Sequence, residues 1–200
     1  MKIGILGGTF DPVHNGHIKV AETVKAQLDL VKVVFVPAGQ PWLKSDNPVS
    51  PAEHRVEMVR LAIASYPGFE LSMLEINRPG PSYTVDTIKE FRDKPGSESE
   101  LFFILGWDSL SQLPRWKEPK LLIELCHLVA VPRPGCKLPD LNRLETLIPG
   151  LASRLILLDK PEIDVSATQI RKRVAEGLPI HGLVPAPVAD YLKQHKLYVD

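Results

Sequence analysis

Cysteine is almost missing from this chain: Cys126 and Cys136 are the only two in 200 residues, and neither belongs to a C-x-x-C pair. That excludes a thiolate zinc site and a dithiol redox pair, and leaves ordinary reduced thiols. A charge excess is missing too. Twenty-four basic and 24 acidic residues cancel to a net charge of zero, so there is no electrostatic footprint for general nucleic-acid binding. No apolar run reaches membrane-spanning length, and the short run after Met1-Lys2 meets Asp11 and His14 too soon for a signal-peptide core. The expected location is the cytoplasm, with no membrane partner. Internal repeats, low-complexity tracts and interdomain linkers are absent as well, and with 44% hydrophobic residues the expectation is a single globular domain over 1–200. Proline is abundant, at 19 residues, but it falls mostly at element boundaries.

What is present is an alternation of strand and helix periodicity. A short apolar strand, Ile3-Gly4-Ile5-Leu6, precedes a helical pattern of Ile18, Ala21, Val24 and Leu28. A β-branched run over Val31–Val36, closed by Pro37, completes a βαβ unit. Ser50 as N-cap, Pro51 at the first helical position and Glu53 three residues after the cap announce a second helix, with Val56, Val59 and Ile63 as its buried stripe. Further strands are expected at Phe69–Leu74, Leu101–Leu105, Leu128–Val131 and Leu155–Leu158. Helices are expected at Thr84–Arg92, Pro119–Leu125, Asp140–Leu147, Ser166–Glu176 and Pro187–His195. The all-apolar run Leu101–Leu105 requires cover on both faces. The fold class is therefore α/β, a single doubly wound, mostly parallel sheet with helices on both faces. Ligands belong at the carboxyl ends of its strands, where Gly7, residues 37–44, Gly106 to Asp108 and the stretch before Ser166 all fall.

The first of those ends carries the sharpest signal. Gly7-Gly8-Thr9-Phe10-Asp11-Pro12-Val13-His14-Asn15-Gly16-His17 runs from a strand through a glycine turn to a helix start. Glycines admit a ligand close to the backbone, and the first N–H groups of the helix point at an anion. His14 and His17, three apart, can face one phosphate. A second constellation is Ser166-Ala167-Thr168-Gln169-Ile170-Arg171. Ser166 with Gln169 reads as a capping box, while Thr168 and Arg171 share a helical face near the helix start, where a triphosphate tail gains from dipole, hydroxyl and guanidinium together.

Gly8 to His17 resembles the signature G-x-F-D-P-x-H-x-G-H of the nucleotidyltransferase superfamily and matches it at every fixed position. Val165 to Arg171 is similar to the superfamily's I-S-S-T-x-I-R motif, with Val165 and Ala167 as departures. Further segments narrow the resemblance to nicotinate-nucleotide adenylyltransferases. Gly106-Trp107-Asp108-Ser109 with Leu113 and Trp116 looks like their G-x-D-x-x-x-x-L-x-x-W pattern, Pro81 to Thr87 like their P-S-Y-T-x-D-T segment, and Val184 to Tyr198 like their carboxyl-terminal ending. Lys44 in Pro41-Trp42-Leu43-Lys44 and His54-Arg55-Val56-Glu57-Met58 match as well, though Trp42-Leu43 stand where many relatives have Pro-His.

The resemblance implies a Rossmann-like nucleotidyltransferase fold and an enzyme of NAD biosynthesis. Its partners would be ATP and nicotinic acid mononucleotide, with Mg²⁺ on the ATP phosphates. The mononucleotide phosphate would attack the α-phosphorus, giving deamido-NAD and pyrophosphate without a covalent enzyme intermediate. Carried over by position, His14, His17 and Arg171 would be catalytic. Gly7, Gly8, Thr9, Phe10, Lys44, Gly106, Asp108, Ser166 and Thr168 would bind ATP; Thr84, Trp107 and Trp116 would hold the pyridine ring and its carboxylate; no residue is assigned as a metal ligand. Arg55 is divided between substrate contact and a surface ion pair. Three other readings stand beside this one: a nicotinamide mononucleotide or dual-specificity adenylyltransferase, a phosphopantetheine adenylyltransferase, and a nucleotide-binding sensor without turnover. The oligomeric state is open, a homodimer included.

Overall fold

A strand whose side chains are apolar on both faces is stable only between two layers of helices, and four of the strands here are of that kind. The computed structural model describes residues 1–41, 49–93, 98–161 and 164–199. In order, the elements are β1 (Lys2–Gly8), α1 (Asn15–Gln27), β2 (Lys32–Pro37), α2 (Ala52–Ile63), β3 (Phe69–Leu71), α3 (Leu74–Asn77), α4 (Thr84–Arg92) and β4 (Glu100–Gly106). They continue with α5 (Trp107–Gln112), α6 (Pro119–Leu125), β5 (His127–Val131), α7 (Leu141–Leu147), β6 (Leu155–Leu157), α8 (Ala167–Ala175) and α9 (Ala186–Gln194). The strands make one sheet in the order β3-β2-β1-β4-β5-β6, and every neighbouring pair is parallel.

Period-two alternation sorts the strand side chains onto two cores. Leu6, Val33, Phe35, Phe102, Ile104, Val129 and Val131 point to one face, where Ile18, Ala21 and Val24 of α1, Met58 and Val59 of α2, Ile170 of α8 and Val188 and Leu192 of α9 cover them. Ile5, Val34, Val36, Leu101, Phe103, Leu105, Leu128 and Ala130 point to the other, against Val85, Ile88 and Phe91 of α4, Leu110 of α5, Leu122 and Ile123 of α6 and Leu144 of α7. Each such side chain stabilises the fold by about 1.5–3 kcal/mol relative to exposure, so the doubly wound expectation is met by the burial itself.

Local details depart from the sequence reading where a tertiary contact outweighs a local one. Ser50 does not cap α2: Pro51 occupies the N-cap position and the helix begins at Ala52, because the Ser50 N–H is drawn to the Asp11 carboxylate at 3.2 Å. The buried stripe of α2 is also turned, to Arg55, Met58, Val59, Ala62 and Ile63, with Val56 only half-buried. Strand β3 ends at Leu71, and Leu74, expected as strand, starts the short helix α3. Val31 is exposed and precedes β2.

The chain winds outward from β1 through β2 to β3 and then returns to place β4 on the other side of β1. Helices leave these two central strands toward opposite faces, so a crevice opens outside their carboxyl ends.

Candidate active site

That crevice is a cleft of about 490 Å³. Its floor is the end of β1 and the loop into α1. Gly8 is close-packed against the ring of Phe10, and a Cβ at position 8 would lie 3.1 Å from that ring. Phe10 adopts a left-handed backbone, φ 51°, a conformation that costs a side-chain-bearing residue about 1–2 kcal/mol. Burial of its ring to 2% exposure, edge-on to His17 at 4.9 Å, offsets that cost.

Asp11 follows, 4% exposed and held at three atoms. Oδ1 accepts from the Tyr198 hydroxyl at 2.5 Å, Oδ2 from Ser50 N–H at 3.2 Å, and the carbonyl from Arg171 Nη1 at 2.7 Å. Beneath the same loop lies Arg55, 2% exposed. Its Nη1 donates to the carbonyls of Thr9 (2.9 Å) and Ala38 (2.7 Å), and its Nε to that of Ser50 (2.9 Å). Arg55 thus forms no surface ion pair. It lies under the cleft and ties the β1–α1 loop to the segments on either side of residues 42–48.

His14 occupies the N-cap position of α1 in extended geometry. Its N–H donates to His17 Nδ1 at 3.2 Å, which leaves the His17 ring proton on Nε2. The two rings stack with centroids 3.7 Å apart, and both line the cleft. Burial, aided by the positive charge of Arg133, pushes the His14 imidazole down to about 4, and its Nδ1 has no hydrogen-bond partner among the described residues. The His14 imidazole is therefore uncharged at neutral pH, with one ring N–H able to donate a hydrogen bond and no second proton taken up.

The same shift has a stability consequence. A folded-state value below the ordinary 6.5 means that the unfolded chain takes up the proton first, so stability contributed above pH 6.5 is lost as pH falls toward 4. The loss by pH 4 is at most about 3 kcal/mol. Urea midpoints of wild type and His14→Gln at pH 7 and pH 4.5 should diverge, with the variant losing less on acidification; parallel losses would contradict the burial of this ring.

The far wall comes from α8 and the ends of β4 and β5. Ser166 caps α8, its Oγ accepting from Gln169 N–H at 3.2 Å. Thr168 and Arg171 lie on the cleft side, joined Oγ1 to Nη2 at 3.4 Å. Asp108, just past β4, pairs with Arg133 at 2.7 Å. No motif in the sequence marks Arg133; its place two residues after the end of β5, at a carboxyl end of the sheet, is the signal that points to it.

At the other end of the cleft stand Thr84, first residue of α4, and Trp116. Trp116 packs edge-on against Phe103 at 6.0 Å, and its indole N–H is buried without a partner among the described residues. Between them and the β2 loop is a polar lattice. Ser82 Oγ accepts from the N–H groups of Gly39 (2.9 Å) and Gln40 (3.2 Å), and the buried Glu75 accepts from Thr87 Oγ1 at 2.6 Å. Gly39 has no room for a side chain, since a Cβ would collide with the Glu75 carbonyl oxygen.

Of the residues expected to form the site, Gly7, Gly8, Thr9, Phe10, His14, His17, Thr84, Gly106, Asp108, Trp116, Ser166, Thr168 and Arg171 line this one cleft. Trp107 and Arg55 are not on its wall. Trp107 packs instead into the core beneath α5, its indole N–H buried. Lys44 lies outside the described residues. Asp11 and Tyr198, which the sequence shows only as parts of longer motifs, join the constellation through their mutual hydrogen bond, and Arg133 joins it from the structure alone.

The comparisons with known proteins agree with this geometry. Residues 5–173 match the family model described as cytidylyltransferase-like. A curated protein of Dehalococcoides mccartyi, named "Probable nicotinate-nucleotide adenylyltransferase", is 50% identical over 198 residues, 99% of this chain and 97% of its own. One of Roseiflexus sp. with the same name is 47% identical over 196 residues, 98% of this chain and 97% of its own. In structure, the chain is similar to Plasmodium falciparum nicotinic acid mononucleotide adenylyltransferase complexed with NaAD, with a TM-score of 0.80 at 21% identity, over 98% of this chain and 97% of that one. The last likeness speaks for the fold, and the first two for the family. Histidine pair, switch-point cleft and full-length similarity converge: the chain belongs to the cytidylyltransferase-like family and, within it, to the nicotinate-nucleotide adenylyltransferases.

Proposed function

We propose that the cleft joins ATP to nicotinic acid mononucleotide, giving deamido-NAD and pyrophosphate, a step of NAD biosynthesis. The observation that carries this is the stacked His14–His17 pair at the start of α1, on one cleft with Arg171, Asp108 and, at its other end, Thr84 and Trp116. The relatives' names support it at about half identity over nearly the whole chain.

An oxygen of the mononucleotide 5′-phosphate forms the new bond to the α-phosphorus of ATP. The bond from that phosphorus to the oxygen bridging toward the β-phosphorus breaks, and its electron pair leaves with pyrophosphate. Such a transfer needs alignment and neutralisation of charge more than covalent help. The His17 Nε2–H, the His14 ring and the Arg171 guanidinium supply donors where phosphoryl charge grows. The glycines at the end of β1 let the phosphates approach the backbone. Ser166, Thr168, Gly106 and Asp108 line the ATP end, with the Asp108–Arg133 pair placed to exchange partners with a ribose hydroxyl or a phosphate. The N–H groups at the start of α4 suit the pyridine carboxylate, and the Trp116 face suits an electron-poor ring.

Mg²⁺ enters with ATP as part of the substrate and neutralises phosphate charge there. Among the described residues no group of three or more His, Cys, Asp or Glu is placed to hold a metal.

Initial rates with MgATP and either the acid or the amide mononucleotide test the reading, with pyrophosphate and dinucleotide measured together. One pyrophosphate per dinucleotide and a clear preference for the acid are expected, because backbone donors facing an amide nitrogen would be left unpaired. ATP binding with no pyrophosphate would instead make the chain a sensor. In the same assay Trp116→Ala should raise KM for the mononucleotide by about tenfold or more and leave KM for ATP near wild type, the loss of one stacked ring face. Equal losses for both substrates would mean a folding defect and no ring contact.

A further inference from the structure

We infer that Tyr198 is a positioning residue for the transfer reaction, its hydroxyl fixing Asp11 and, through Asp11, the loop that carries His14 and His17. The inference rests on the function proposed above, and it assigns a task to a side chain that lies outside the cleft wall.

Asp11 is the only charged residue in the loop between β1 and α1, and it is buried. A buried carboxylate is tolerated only when donors surround it; here two distant parts of the chain supply them and a third holds the Asp11 backbone. Ser50 N–H arrives from the approach to α2, the Tyr198 hydroxyl from the turn after α9, and Arg171 reaches the Asp11 carbonyl from α8. Both carboxylate oxygens are thereby engaged within the protein, so Asp11 serves as the fixed point of the loop.

The Tyr198 bond is the shortest of the three, at 2.5 Å. Its backbone sits at φ 62°, a left-handed conformation that a residue with a large side chain avoids unless the surroundings hold it there. The turn is secured by Leu197 N–H donating to Leu192 O at 3.1 Å, and the ring packs on the core shared by α1, α2 and α9. Burial and the neighbouring Asp11 carboxylate push the phenol well above its ordinary value, so the hydroxyl remains a donor throughout any assay range.

Three cleft groups depend on this anchor at once. His14 follows Asp11 by three residues and His17 by six, and Arg171 spends one guanidinium nitrogen on the Asp11 carbonyl. Loosening Asp11 therefore displaces imidazoles and guanidinium together. A misplacement of about 1 Å at such groups costs on the order of 10²-fold in rate, without requiring that substrates bind less well.

The test compares wild type, Tyr198→Phe, Asp11→Asn and the double variant with ATP and nicotinic acid mononucleotide, well below each melting temperature. Tyr198→Phe keeps the ring and its packing. It is expected to lower kcat by about 10- to 100-fold with both KM values within about threefold, and the double variant should be no worse than Asp11→Asn alone. A kcat within about twofold of wild type, or losses that multiply in the double variant, would overturn the inference. The imidazole ¹⁵N resonances of His14 and His17 in Tyr198→Phe read the loop without turnover: they should move, and unchanged resonances overturn the inference. A wild type that forms no dinucleotide refutes the proposed function alone, while those resonances still decide the role of Tyr198.

Discussion

Replacing His17 with alanine is expected to lower kcat by about 10²- to 10⁴-fold while KM for the mononucleotide changes little. The ring sits at the helix start, edge-on to Phe10, on the same cleft as Arg171, and its Nδ1 is already engaged by the His14 N–H. That engagement fixes both tautomer and orientation before substrate arrives, and donors fixed in advance do most for a transition state. Removing the ring also takes away the stacking partner of His14 at 3.7 Å, which enlarges the effect on turnover. Steady-state kinetics with both substrates check it. Turnover within about threefold of wild type would mean that the histidine pair only shapes the helix start.

Arg55→Met is expected to have the largest effect on stability, a loss of about 3–5 kcal/mol against a total of about 5–15 kcal/mol for a domain of this kind. Methionine keeps much of the bulk and removes the donors. The carbonyls of Thr9, Ala38 and Ser50 then lose partners in a region where Arg55 itself is 2% exposed. Each buried acceptor left unpaired costs about 1–3 kcal/mol. Burial already draws the guanidinium below its ordinary value, with Asp11 acting in the opposite sense. Chemical denaturation should show a lower midpoint with an unchanged slope. A midpoint unchanged from wild type would place the guanidinium in solvent or on substrate, and not in this buried lattice.

The sequence held much of this, and what it held follows from the range of the forces involved. Runs such as Leu101–Leu105 declare their strand locally, and Thr84–Arg92 was bounded correctly because helix periodicity and its start both lie within nine residues. The cleft was legible where consecutive residues line it: Gly7 to His17 run from the end of β1 through its loop to the start of α1, and Ser166 to Arg171 form the cap and start of α8.

Contacts across long separations were not legible. Asp11 meets Ser50 39 residues away and Tyr198 187 residues away, and no local pattern marks those bonds. The same bond removes Ser50 from its expected cap, and burial beneath the loop makes Arg55 an anchor, neither the substrate contact nor the surface ion pair between which the sequence divides it. Trp107 and Trp116 show the limit on the side-chain scale. Both belong to one motif, yet the helical turn of α5 directs the first into the core and leaves the second at the cleft.

The stereochemical course at the α-phosphorus tests most directly whether these residues align two substrates for a single displacement. ATP carrying a chiral α-thiophosphate, converted with nicotinic acid mononucleotide, should give dinucleotide with inverted configuration, since one in-line attack inverts the centre. Retention would require two displacements through a covalent enzyme intermediate, and would contradict a cleft whose imidazoles and guanidinium only position and neutralise.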